Sequence, residues 1–336
     1  MNTIISKKTS RAIALSIATL ALSGAVLAAS NPRGIPSATS SAKAPFADKR
    51  PITTQTSIDL GAYDPHGDFG NDADSKIEHL FLPWEDVDLS SLVIADEYAV
   101  QRGRSLLITV EPWSWDVDWR VTSDELLAGI LAGRYDANMA AVCSEAAKLK
   151  SPVTIRWAQE MDETDNQFSW AHWAPDSYIT AYQRMVTECR KHIQTATYMW
   201  SPKGNPELVD FYPGDEFVDV VGLSVFGLQD YDRATFGKER TFAEALEPGY
   251  RLADRFGKPV VVAELGYEGD QNYVRDWAET AADRNPAFPK LTAIVYFNDR
   301  EVYPWPNNFG RPNWRVTNQV SDAAMTTNPS NTGEAQ

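Results

Sequence analysis

Eight short apolar runs recur along the chain, each set off from the next by a longer stretch, and this recurrence constrains the fold more than any other feature. The runs occupy 57–63, 79–84, 106–113, 153–160, 196–202, 218–226, 259–266 and 291–298. Helical patterns fit several of the gaps, over 124–131, 136–149, 175–192 and 272–282, with Asp or Pro standing as start signals. Strand alternating with helix predicts parallel strands joined by crossovers, and eight such units predict an α/β fold, a single-domain (β/α)8 TIM barrel. A barrel of this kind takes about 250 residues, which the 336 present can supply with extensions at both ends. No repeat of roughly 20–50 residues accompanies the runs, which disfavours a solenoid or propeller.

The extensions differ from the middle in composition. Residues 1–28 carry Lys7, Lys8 and Arg11, then an uncharged run, then Val26-Leu27-Ala28 as a small-residue cleavage site. That is the pattern of a secretory signal peptide, and its apolar run falls short of the roughly 20 residues of a membrane span. We therefore expect a secreted or periplasmic protein with no membrane insertion after cleavage. Residues 29–56 are rich in Ser, Thr, Ala, Pro and Lys and read as a disordered linker, 57–320 as the barrel domain and 321–336 as a disordered tail. The formal charge of -15 repels phosphate backbones and anionic surfaces, so nucleic acid is excluded as a natural partner and a neutral one is favoured. A monomer is expected.

Cys143 and Cys189 fall in consecutive helical stretches, and both a bridge between them and two separately buried thiols are open. The four His residues lack metal-ligand spacing, and Asp64, Asp68, Asp72 and Asp74 lack the order of a calcium loop, so no metal site is expected.

Polar residues collect at the carboxyl ends of the apolar runs, where a barrel keeps its active site. The third run ends in Glu111-Pro112-Trp113, the fourth in Gln159-Glu160, the fifth in Trp200-Ser201-Pro202, the seventh in Glu264 and the eighth in Asn298-Asp299. Strand alternation places Arg156, Ala158 and Glu160 on one face, with Arg156 as support below Glu160, and sends Trp157 outward into the core. The same alternation puts Val260, Val262 and Glu264 together. Two carboxyl groups facing each other across a barrel mouth suit retaining glycoside hydrolysis, in which one protonates the leaving oxygen and the other attacks the anomeric carbon. Either Glu could instead be a surface charge or a partner for Arg156. The chemistry needs two carboxylates and water, so no cofactor is expected.

In order along the chain stand Arg156-Trp157-Ala158-Gln159-Glu160-Met161-Asp162, Phe168-Ser169-Trp170, Trp200-Ser201-Pro202, Tyr212-Pro213-Gly214-Asp215 with Val218-Asp219-Val220-Val221-Gly222-Leu223, and Lys258-Pro259 leading to Glu264-Leu265-Gly266. This series resembles glycoside hydrolase family 26, a barrel family of mostly secreted endo-β-mannanases with some mixed-linkage β-glucanases and β-1,3-xylanases. The resemblance implies Glu160 as acid/base and Glu264 as nucleophile. It also implies substrate contacts at Gln159, Asp162, Phe226 and Tyr296, where the family usually has His, Asn, Tyr and Trp. The substrate expected is a neutral polysaccharide of β-mannan or β-glucan type, and the departures fit a divergent subgroup that trims an exopolysaccharide or cellulose-like polymer.

Eleven Trp are a heavy load, and Trp113, Trp115, Trp170, Trp173, Trp305 and Tyr231 sit in or near the loops after strands. Loop aromatics either anchor the loop or stack on sugars; Trp113, Trp170 and Trp173 are the candidate platforms. The leading expectation is an exported retaining endo-β-glycanase with a polysaccharide substrate. The competing one is a barrel that binds glycan without cutting it, in polysaccharide export or assembly.

Overall fold

A computed structural model describes residues 48–164 and 167–318. The strands β1 (Asp59–Tyr63), β2 (Ser75–Pro83), β3 (Ser105–Glu111), β4 (Val153–Trp157), β5 (Thr197–Trp200), β6 (Val220–Leu228), β7 (Val260–Glu268) and β8 (Leu291–Phe297) close in sequence order into one barrel. Every neighbouring pair is parallel, including β1 with β8. The chain is therefore a (β/α)8 barrel, with all eight carboxyl ends at one mouth.

The outer layer is less regular than the strands. Helix α1 (Leu92–Arg102) follows β2, α2 (Ser123–Leu131) and α3 (Asp136–Ala146) follow β3, and α4 (Pro175–Cys189) follows β4. Then α5 (Gln229–Phe236) and α6 (Phe242–Ala253) follow β6, and α7 (Gln271–Thr280) follows β7. A loop joins β1 to β2, and a short 3-10 helix, Pro206–Phe211, lies between β5 and β6. Helix starts follow local chemistry. Thr122 and Glu125 form a capping box on α2, Thr241 and Glu244 one on α6, Pro175 opens α4, and Asp270 caps α7.

Two apolar layers form. Leu107, Met199, Val261, Ala263, Ala293 and Val295 fill the barrel interior. Val153, Ile155, Trp157, Val260, Val262 and Leu265 face outward into the larger cluster under the helices. Trp157 is buried there among Trp84, Trp173, Tyr178 and Tyr182.

Two expectations need adjusting. The described end of the supposed linker, from Asp48 onward, is bound to the barrel. The Lys49 and Ile52 amides donate to Val316 O at 3.0 Å and Ala278 O at 2.7 Å, and Tyr267 Oη donates to Lys49 O. Lys49 Nζ donates to Asn313 O at 2.7 Å, and burial of the side chain lowers its pKa to about 8. Composition read Lys and Pro as solvated chain, whereas hydrogen bonds to fixed carbonyls hold this segment down. The expected signal peptide, residues 29–47 and the expected tail lie outside the described residues. Second, the cysteine alternatives resolve to a bridge: Cys143 on α3 and Cys189 at the end of α4 form a disulfide, with Cα atoms 5.0 Å apart. No helix among the described residues is long and apolar enough to cross a membrane.

A crosslink between residues 46 apart in sequence restricts the unfolded chain, an effect on the order of 2–4 kcal/mol. The double variant Cys143→Ala/Cys189→Ala is expected to unfold at lower urea concentration by that amount while keeping its far-UV circular dichroism.

Candidate active site

The mouth of the barrel opens into a cleft of ≈ 890 Å³. Its floor and walls come from the carboxyl ends of the strands: Tyr63, Phe81, Glu111, Ser224, Phe226, Glu264 and Phe297, with Gln159 and Glu160 just beyond β4. Later loops add Lys203, Glu301 and Trp305.

Glu160 does not ride on the strand, as simple alternation had it. Strand β4 stops at Trp157, and the chain then turns through Ala158 (φ 47°) and Glu160 (φ 55°), both in the left-handed region. Each such residue costs about 1–2 kcal/mol. Hydrogen bonds from four directions hold the turn. Ala158 N donates to Val110 O at 3.2 Å and Glu160 N to Ser201 O at 2.8 Å, while Tyr178 Oη donates to Ala158 O at 3.1 Å and Trp170 Nε1 to Gln159 O at 2.6 Å. The Glu160 carboxylate accepts from Ser224 Oγ, the lone hydroxyl of β6.

Glu264 reaches the cleft by an irregularity. Val261 and Ala263 face the barrel interior, so strict alternation would send Glu264 outward with Val260 and Val262. The register shifts between Leu223 and Ser224 on β6, and between Val262 and Leu265 against β8. A bulge of this kind re-aims a side chain, and here Glu264 turns into the mouth.

There Glu264 Oε1 accepts from Arg156 Nη1 at 2.7 Å, and the arginine side chain is wholly buried. Arg156 Nη1 also donates to Thr109 Oγ1 at 3.2 Å, and Thr109 stands 2.7 Å from His79 Nε2. Arginine can only donate, so the threonine oxygen accepts from it and keeps its own proton to give to a neutral imidazole. Burial, with the Arg156 charge nearby, holds His79 well below its ordinary pKa. Burial pushes the Glu264 carboxyl up to about 8; Arg156 opposes this and the charge of Glu160 adds to it.

A third buried carboxylate, Glu111, closes the β3 side. It accepts from Trp113 Nε1 and from Gln159 Nε2, both at 3.0 Å, and burial raises its pKa. Because the carboxylate can only accept, the Gln159 amide must present its nitrogen to Glu111, which leaves its oxygen for other donors. A further carboxylate, the half-buried Glu301, is held by Trp314 Nε1 at 2.9 Å and is likewise raised by burial. Gly266 makes room for that Trp314 ring, since a Cβ there would lie 2.7 Å from it.

Of the residues singled out by sequence, Arg156, Gln159, Glu160, Phe226 and Glu264 meet at this cleft or directly beneath it. Trp113 lines it too, but the Arg120 guanidinium lies 3.6 Å over its ring. Trp115, Tyr231 and Trp305 also line it. Four others are displaced from it. Trp170 is fully buried, stacked on Phe168 and spent on the Gln159 carbonyl. Trp173 is buried, with its indole N–H on Ser123 O. Asp162 accepts the amides of Lys203, Gly204 and Asn205 at 2.6, 2.9 and 2.7 Å, and so builds the loop after β5 rather than meeting a ligand. Tyr296 points outward, bonded to Trp314 O; its neighbour Phe297 faces the cleft. Glu301, Tyr63, Ser224 and Phe297 were missed. Ser224, a single hydroxyl in an apolar strand, carried the clearest signal.

Residues 117–249 match the sequence model for Glycosyl hydrolase family 26. A beta-1,3-xylanase from an Alcaligenes species is 30% identical over 150 residues, which are 40% of this chain and 31% of that protein. A mannan endo-1,4-beta-mannosidase from Bifidobacterium adolescentis is 26% identical over 171 residues, 46% of this chain and 17% of that protein. The chain thus spans less than a third of the length of these curated relatives. Among solved structures, GH26C from a Muricauda species superposes with a TM-score of 0.56 at 16% identity, over 72% of this chain and 79% of that one. A β-mannanase from Bacteroides ovatus does so with a TM-score of 0.50 at 16% identity, over 72% and 81%. At such identities the structural likeness is one of fold.

Burial raises the Glu264 carboxyl to about 8 in the folded state, whereas a carboxyl in the unfolded chain releases its proton near pH 4.3. Stability from this source is complete below that lower value and is lost as pH rises through about 8. Urea midpoints measured from pH 5 to pH 8.5 should therefore fall with pH in the natural chain and fall less in Glu264→Gln.

Proposed function

The chain belongs to glycosyl hydrolase family 26, and from that premise we propose that it is an exported retaining endo-β-glycanase acting on a neutral polysaccharide of β-mannan or β-glucan type. The observation that carries the proposal is the pairing of two buried carboxyl groups in one open cleft, only one of which touches a guanidinium. When two carboxyls act on each other, their proton belongs to the pair. Of the two carboxyls, Glu264 alone is bonded to the Arg156 guanidinium, whose positive charge suits the nucleophile, while Glu160, on the neutral Ser224 hydroxyl, takes the part of the acid.

The roles follow. Glu160 gives its proton to the glycosidic oxygen as that oxygen leaves, and a Glu264 oxygen bonds to the anomeric carbon as the C–O bond breaks. Glu160, now a carboxylate, takes a proton from water; the water oxygen attacks the anomeric carbon and frees Glu264. The sugar keeps its configuration after two inversions. Ser224 steadies Glu160, and Arg156 supplies Glu264 with the hydrogen bond that Phe226 lacks the hydroxyl to give. An endo mode is supported by a cleft walled on both sides by side chains from many strands, which leaves room for sugar units on either side of the cut bond. Export rests on the leader-like pattern in residues 1–28.

Reducing-end release is to be measured from β-1,4-mannan, glucomannan, mixed-linkage β-glucan, a soluble cellulose derivative and β-1,3-xylan. We expect cleavage of at least one, abolished in Glu264→Ala and restored there by azide as a glycosyl azide of inverted configuration. Glu160→Ala should lose about 10²–10⁴-fold on the polymer and far less on aryl glycosides whose leaving group needs no proton. Binding without cleavage of any polymer would instead identify a non-cutting glycan-binding barrel.

A further inference from the structure

The loop after β3 carries an apolar surface that starts at the cleft wall and continues beyond it. Trp115, Val117, Trp119 and Val121 are 49, 70, 61 and 37% exposed, four large apolar side chains at alternate positions in seven residues. Isolated exposed apolar residues need no explanation, but a contiguous group beside a binding cleft does. The loop is also ordered by polar contacts. Ser114 Oγ donates to Asp86 at 2.7 Å, the Asp116 amide to Ser114 Oγ at 3.1 Å, the Asp118 amide to the Asp116 carboxylate at 3.1 Å, and Arg120 Nε to Ser114 O at 2.8 Å. The 3-10 turn Val117–Trp119 is thereby fixed with its indole outward. Such a surface is built in advance of its ligand, which lowers the entropy cost of binding.

We propose that Trp119, with Val117 and the exposed part of Trp115, forms a glycan-binding platform outside the cleft that seats sugar units of the polymer beyond those engaged by Glu160 and Glu264. Continuity favours this occupant. Trp115 and Arg120 both line the cleft, so Trp119 lies on a segment that leaves the cleft wall and returns to it within six residues. A polymer continuing past Trp115 meets Trp119 next. The flat indole offers dispersion and C–H contact to the apolar face of a pyranose ring without demanding a charge. Asp116 and Asp118 beside it, on a chain of charge -15, repel an anionic membrane.

The proposal rests on the glycanase reading, and its test separates the two. Affinity electrophoresis in gels containing each of the five polymers named above, run with Glu264→Ala and with Glu264→Ala/Trp119→Ala, reads binding without turnover. Steady-state kinetics with natural chain, Trp119→Ala and Trp119→Phe compare the polymer that is cut with its tetrasaccharide. We expect Trp119→Ala to weaken polymer binding and raise polymer KM about 3–10-fold, with tetrasaccharide kinetics unchanged and Trp119→Phe largely restored. Equal losses on polymer and tetrasaccharide, or no loss on either, would overturn the platform while leaving hydrolysis standing. Trp119-dependent binding without cleavage would keep the platform and remove the glycanase. Binding to none of the polymers would overturn both, and a Trp119 effect confined to phosphatidylcholine vesicles would assign the patch to a membrane.

Discussion

A guanidinium with no access to solvent needs a negative charge inside the same low-dielectric space, and the arrangement of the mouth depends on that requirement. Arg156 is closed in by the barrel and meets its counter-charge in Glu264. Removing either partner would leave the other buried and unpaired, a loss of about 3–5 kcal/mol. The pair therefore ties β4 to β7 across the barrel, and it does so through the carboxylate proposed as nucleophile. Thr109 and His79 beneath it add an oxygen for the guanidinium and an imidazole kept neutral by burial.

The strained turn at Ala158 and Glu160 shows how much of the surrounding structure serves to hold one carboxyl in place. Four hydrogen bonds from β3, the β5 end, α4 and the Trp170 loop meet within three residues. Several aromatic side chains are explained by this. Trp170 and Tyr178 lie in the core as rings, but each spends its polar atom on a carbonyl of the turn. Asp162, two residues beyond Glu160, organises three amides of the next loop. What resembles a run of ligand contacts in sequence is largely the scaffold of a single side chain.

The remaining aromatics divide by exposure. Phe226, Phe297 and Trp305 face the cleft from β6, β8 and the loop after it, while Trp113 reaches it under a guanidinium cover. The cleft thus offers Phe rings and charged groups where a wall of open indoles was the simpler picture. The most exposed indoles, Trp115 at the cleft wall and Trp119 beyond it, lie on the β3 loop, held by hydrogen bonds of Asp and Ser.

The number of strands, their order and the end of the barrel that carries the cleft were legible in the chain, because apolar run, polar end and helix start are local signals that repeat. Glu160, Glu264 and Arg156 were legible for the same reason: a charge closing an apolar strand is costly unless it has a task. What local pattern could not supply was direction. Alternation assumes an unbroken pleat, yet β4 ends before Glu160 and β7 bulges before Glu264, so both reach the mouth by departures from the period that pointed to them. Tyr296 and Phe297 exchanged places for a related reason, since neighbours on a strand face opposite ways and only the closed sheet decides which is inward. The fates of Trp170, Trp173 and Asp162 were decided by partners from other strands and loops. The residues by themselves determined a barrel with two carboxylates at its mouth; which side chains face a ligand and which hold those that do was decided by contacts between distant parts of the chain.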